Sequence, residues 1–113
     1  MRKRLLILFF LLAVVACGHP TARIRNDSAV KLQNVHITAQ GFEVTIPELQ
    51  SGESRLIPIK PRGESGVGVA FDANGRHIEV PAQGYIENDS MYVVDITVTP
   101  SLTVVVRTDL VAR

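Results

Sequence analysis

Tyr92-Val93-Val94-Asp95-Ile96-Thr97-Val98-Thr99-Pro100-Ser101-Leu102-Thr103-Val104-Val105-Val106-Arg107 sets apolar residues at alternate positions, breaks at Pro100-Ser101, and resumes. Successive side chains of a strand leave on opposite faces, so Tyr92, Val94, Ile96 and Val98 share a face with Leu102, Val104 and Val106. Asp95, Thr97, Thr99, Thr103 and Arg107 take the other face. A hairpin with one apolar and one wet face is predicted, the pattern of a half-buried antiparallel sheet.

The same period runs upstream. Val67, Val69 and Phe71 lead into Asp72-Ala73-Asn74-Gly75, whose Asn-Gly pair is a strong hairpin signal, and a strand over Arg76 to Val80 returns to Pro81. Phe42, Val44 and Ile46 form another strand, which Pro47 is expected to stop for want of an N–H. Pro58 and Pro61 confine the strand at Leu56 to Lys60, with Ile57 and Ile59 inward, to a sheet edge. Val30 and Leu32 differ in parity from Val35, Ile37 and Ala39, so a bulge near Gln33-Asn34 would turn both sets to the core. Ile24 lies in a first strand ended by Asn26-Asp27-Ser28, a turn-forming trio. No stretch keeps the i, i+3, i+4, i+7 apolar spacing of a helix. Roughly seven to eight strands spaced by about ten residues predict an all-β, antiparallel sandwich over residues 23–113, with a small barrel as the alternative.

Ile24-Arg25-Asn26-Asp27-Ser28, Leu32-Gln33-Asn34-Val35 and Leu49-Gln50-Ser51-Gly52-Glu53-Ser54 together resemble the opening of immunoglobulin-like and fibronectin-like modules of bacterial surface proteins. The resemblance implies an adhesive or scaffolding fold family and transfers no functional residue. The trio at Asn26 recurs as Ile86-x-Asn88-Asp89-Ser90, which reads as reuse of turn residues rather than as a duplicated half.

At the amino end, Met1-Arg2-Lys3-Arg4 precedes twelve unbroken apolar residues, Leu5 to Ala16, and then Cys17, the sole cysteine. Charge, apolar run and small residue are the three parts of a secretion signal. Twelve helical residues reach about 18 Å, short of the ~30 Å hydrocarbon core, so the segment is expected to be a helical signal peptide at 1–16 and not a permanent span. Val14-Val15-Ala16-Cys17 resembles the lipobox of bacterial lipoproteins. The resemblance implies cleavage between Ala16 and Cys17, a diacylglyceryl group on the Cys17 sulfur and often acylation, such as by palmitate, of the new amino group. Gly18 stands where an Asp would suggest inner-membrane retention, so the periplasmic face of the outer membrane is favoured over the inner membrane. Residues 17–22 then form the lipidated cysteine and a short tether.

Removal of residues 1–16 from the 113 leaves 97, enough for one modest core. The signal holds three of the twelve basic residues, so the mature chain has nine against eleven acidic ones, a formal charge of minus two. Its basic residues are scattered, and no nucleic-acid surface is expected.

Motifs of chemistry are incomplete. Gly63-Glu64-Ser65-Gly66-Val67 departs from a nucleophile elbow at Val67, and a strand follows it. Asp72-Ala73-Asn74-Gly75 shares a fragment with calcium loops, but position twelve would be Gln83. His36 and His77 are expected to face water, and Tyr85 and Tyr92 to be aromatics at the core's edge. The chain is therefore expected to be no enzyme, with no catalytic residue, metal or cofactor. Its expected function is that of a lipid-anchored envelope protein, a module that binds an envelope protein partner or serves assembly. The alternative is a carrier of a small apolar or envelope-derived ligand in an internal cavity.

Overall fold

The computed structural model describes residues 18–112. The signal segment 1–16, its expected helix, the cleavage point at Ala16 and Cys17, and Cys17 itself lie outside the described residues.

The opening hairpin forms as read. Strands β7 (Met91–Val98) and β8 (Val104–Ala112) pair antiparallel with Ile96 opposite Val106 and Val98 opposite Val104. Tyr92, Val94, Ile96 and Val98 are buried, and Val104 and Val106 pack against them partly buried. Leu102, expected at the start of the second strand, belongs to the turn instead. Thr99 O accepts from Leu102 N at 2.9 Å, and Leu102 takes φ 64°. A left-handed backbone costs a non-glycine residue about 1–2 kcal/mol. Leucine holds the position because its side chain packs on the core.

Six further strands precede the hairpin: β1 (Thr21–Asn26), β2 (Leu32–Ala39), β3 (Phe42–Leu49), β4 (Ser54–Pro58), β5 (Glu64–Ala73) and β6 (Arg76–Glu87). They form two four-stranded sheets, β4-β1-β7-β8 and β3-β2-β5-β6. Between them lie Ile24, Leu32, Ile37, Phe71, Ile86 and Ile96, each under 2% exposed. The chain is thus an all-β sandwich.

One pairing departs from the antiparallel expectation. β1 runs parallel to β7, from Thr21 beside Val93 to Asn26 beside Val98. Five strands separate the two in the chain, and a connection of that length lets strands align in parallel, whereas a tight hairpin forces reversal. The strand orders also differ from the immunoglobulin constant-domain pattern, in which the first and second strands share a sheet.

The bulge read from parity is present. β2 pairs Gln33 with Asp72 and His36 with Ala70, three steps against two, and Asn34 takes φ 49°. Leu32, Val35 and Ile37 are consequently all buried.

Two strands run past the prolines expected to end them. β3 continues through Pro47, which falls opposite the bulged Asn34. β6 continues through Pro81 to Glu87, with the register slipping twice, between Val80 and Gln83 and between Gln83 and Ile86. Both are edge strands, where a missing N–H need not break a ladder. The segment Gln83-Gly84-Tyr85 is therefore bulged strand.

Candidate functional site

Chain entry is tight. Thr21 is already paired with Pro58 and Val93, and Ile59 N donates to Pro20 O at 3.0 Å. Only Gly18, His19 and Pro20 lie between position 17 and β1, and Pro20 is buried. Three extended residues reach at most about 11 Å.

The turn after β1 is a buried polar junction. Asn26, fully buried, donates from Nδ2 to Val30 O at 2.8 Å and to Leu49 O at 3.1 Å. Its Oδ1 accepts from Ser28 N at 3.0 Å and Ser28 Oγ at 2.6 Å. Leu49 belongs to β3, so one side chain of the first sheet binds backbone of the second. In the second copy of the motif Ile86 and Ser90 are buried, but Asn88 is exposed. Repetition in sequence therefore does not become repetition of the junction. Composition gives no sign of the difference, since both trios look like surface turns.

Asp72 and His77 meet because the Asn74-Gly75 turn aligns them. Asn74 and Gly75 take φ 52° and 70°, Ala73 faces Arg76, and Asp72 faces His77 one step further along. A two-residue loop with positive φ at both positions is what Asn-Gly favours. His77 Nδ1 lies 2.7 Å from Asp72 Oδ1, and Asn34 Nδ2 donates to Asp72 Oδ2 at 3.0 Å. Asp72 so joins β2, β5 and β6. Asn34 and then His77 hold the Asp72 carboxyl below its ordinary range, and Asp72 raises the His77 pKa in return, helped by Glu79. The hairpin spacing alone contains this pairing, and His77 faces water as expected, its side chain 57% exposed.

His36, half-buried on the same outer face, has Thr45 Oγ1 at 3.0 Å and Glu43 Oε1 at 3.4 Å. Both partners meet the same ring nitrogen, Nδ1. A nucleophilic triad needs the hydroxyl on one nitrogen and the acid on the other, so the ring cannot relay a proton between these two. Between the two histidines runs an open groove of about 520 Å³, floored by Gly68 and Ala70 and bordered by Thr38 and Glu79. A Cβ at Gly68 would come within 2.6 Å of Thr38 Oγ1, so any larger residue there obliges the Thr38 side chain to turn away. Among the described residues no group of three or more His, Cys, Asp or Glu is placed to hold a metal ion.

Tyr92 is buried, whereas Tyr85, expected beside it at the core's edge, is 43% exposed. The rings meet edge to face at 6.2 Å. The β6 bulges turn Tyr85 outward until its hydroxyl lies 2.5 Å from both Glu64 Oε1 and Glu87 Oε1. One phenolic proton faces two carboxylates. They push the Tyr85 pKa strongly upward, Glu64 first, so the group stays a hydrogen-bond donor rather than a nucleophile. Glu64 and Glu87 are register partners on β5 and β6, so the contact staples that end of the sheet.

No family model and no curated protein matches the chain. Among solved structures, an NMR structure of a protein from Eubacterium rectale is similar, with a TM-score of 0.58 at 20% identity over 83% of this chain and 91% of that one. At that identity the likeness speaks for the fold alone.

Proposed function

We propose that the chain is a lipid-anchored protein of the bacterial envelope, held through Cys17, that works without catalysis as a protein-binding or assembly module. The observation supporting this most directly is the three-residue entry from position 17 into a closed, well-packed sandwich. A domain joined so closely to its attachment point acts beside the bilayer, where an envelope protein partner would meet it. The lipobox residues Val14-Val15-Ala16-Cys17 supply the anchor in this reading, and Gly18 favours the periplasmic face of the outer membrane. Kinship with immunoglobulin-like surface modules belongs to the same proposal; two packed sheets support it, and the parallel β1–β7 pairing sets this chain apart from their usual strand order.

The carrier alternative asks for enclosed apolar volume. The groove between His36 and His77 is open rather than enclosed, which favours the binding-module reading.

Cys17→Ser tests the anchor. Fractionation should find the wild type in the membrane pellet and the variant folded and soluble. A variant that still pellets with membranes would mean that something other than a lipid on Cys17 holds the chain there.

A further inference from the structure

The two sheets have four edges, and three are guarded. β4 has five residues and ends at Pro58; β3 contains Pro47; β6 contains Pro81 and slips register twice. Prolines, bulges and short length are the devices that stop an edge from pairing with another chain.

β8 has nine residues and no proline, and among the described residues no strand pairs with its outer edge. Its one irregularity is an extra residue, Val111, against the start of β7. β6 reaches it around Gly84 and Tyr85, where Tyr85 N donates to Thr108 Oγ1 at 3.1 Å. Val105, Leu110 and Val111 are left 48%, 43% and 57% exposed.

We propose that β8 pairs antiparallel with β8 of a second copy of this chain, about a two-fold axis at Thr108, joining two sheets into one of eight strands. The sequence of β8 is complementary to itself in that register. Arg107 falls opposite the partner's Asp109, and by symmetry Asp109 falls opposite the partner's Arg107. Val106 meets the partner's Leu110, Val105 the partner's Val111, and Thr108 the partner's Thr108. A two-fold interface requires this reciprocity of every contact. Within one chain Arg107 and Asp109 are 3.9 Å apart with side chains 72% and 61% exposed, so both charges are open to a better partner. Directly opposed charges and β-branched pairs are what stabilise neighbouring strands.

The inference rests on the edge and its register and stands whether or not Cys17 is acylated. It is tested by sedimentation of the full chain, extracted in detergent, as wild type, Arg107→Asp, Asp109→Arg, the double swap, and Val105→Lys. All three altered positions are solvent-facing, and thermal melts verify that each variant folds. The wild type should dimerise. Each single swap sets like charges opposite each other twice and should weaken dimerisation by about ten-fold or more, as should Val105→Lys. The double swap should recover to within about three-fold of the wild type. A monomeric wild type would overturn the proposal and point instead to an extended segment of another protein as the occupant. A dimer indifferent to the single swaps, or a double swap as weak as the singles, would overturn the register and with it the proposal.

Discussion

The two sheets of this sandwich obey different rules. The β4-β1-β7-β8 sheet is regular: its pairings run in register but for one slip at the end of β8, and its outer face alternates as the sequence does. The β3-β2-β5-β6 sheet is bulged once in β2 and twice in β6, and specific polar side chains fill the irregular places. Asn34 occupies the first bulge and binds Asp72; Tyr85 lies in the last and binds Glu64 and Glu87. Each bulge bends its strand and redirects a side chain, so the second sheet exchanges ladder regularity for polar staples and closed edges. The first keeps its ladder and leaves β8 open.

Asn26 is where the regular sheet is fastened to the irregular one, and removing it should have the largest effect. Asn26→Ala removes the side-chain partner of the buried Ser28 N and Leu49 O and one of the two donors to Val30 O, with each unsatisfied buried group costing about 1–3 kcal/mol. Denaturant unfolding should show a loss on the order of 3 kcal/mol. Asn88→Ala, at the exposed copy of the motif, should stay within about 0.5 kcal/mol of the wild type. Equal losses would mean that the two turns are equivalent after all.

A smaller effect sharpens the account of the irregular sheet. His77 should titrate above its ordinary 6.5 and Asp72 below its ordinary 3.8. A raised histidine contributes stability that is fully present below 6.5 and is lost as pH rises through the folded value. A depressed carboxylate contributes above 3.8 and is lost as pH falls through its folded value. The pair is therefore fully engaged between about 3.8 and 6.5. NMR titration of the His77 ring should show the raised midpoint, and Asp72→Asn should bring it back toward 6.5. An unchanged midpoint in that variant would remove Asp72 as the cause.

The contrast between the sheets also explains what was legible beforehand. Period-two alternation revealed β7, β5 and the inward residues of β4, because each is half-buried and straight. The β2 bulge was legible too, since a switch of apolar parity between Leu32 and Val35 has few other meanings. Alternation says nothing about which strand lies beside which, so the parallel neighbourhood of β1 and β7 was hidden. Pro47 and Pro81 misled because a proline ends a central strand but not an edge, and edges are a property of the whole fold. The polar contacts were half legible. Asn74-Gly75 fixed Asp72 opposite His77 by counting, whereas the burial of Asn26 depends on β3 arriving beside it from the other sheet.

In the proposed function, this sandwich begins three residues from a lipid on Cys17. Mass spectrometry of the amino-terminal peptide, taken from protein extracted from envelopes, tests it most directly. The expected peptide begins at Cys17 and carries the added mass of a diacylglyceryl group, with or without a further acyl chain on its amino group. A peptide that begins at Met1, or one that begins at or near Cys17 with no lipid, would contradict it.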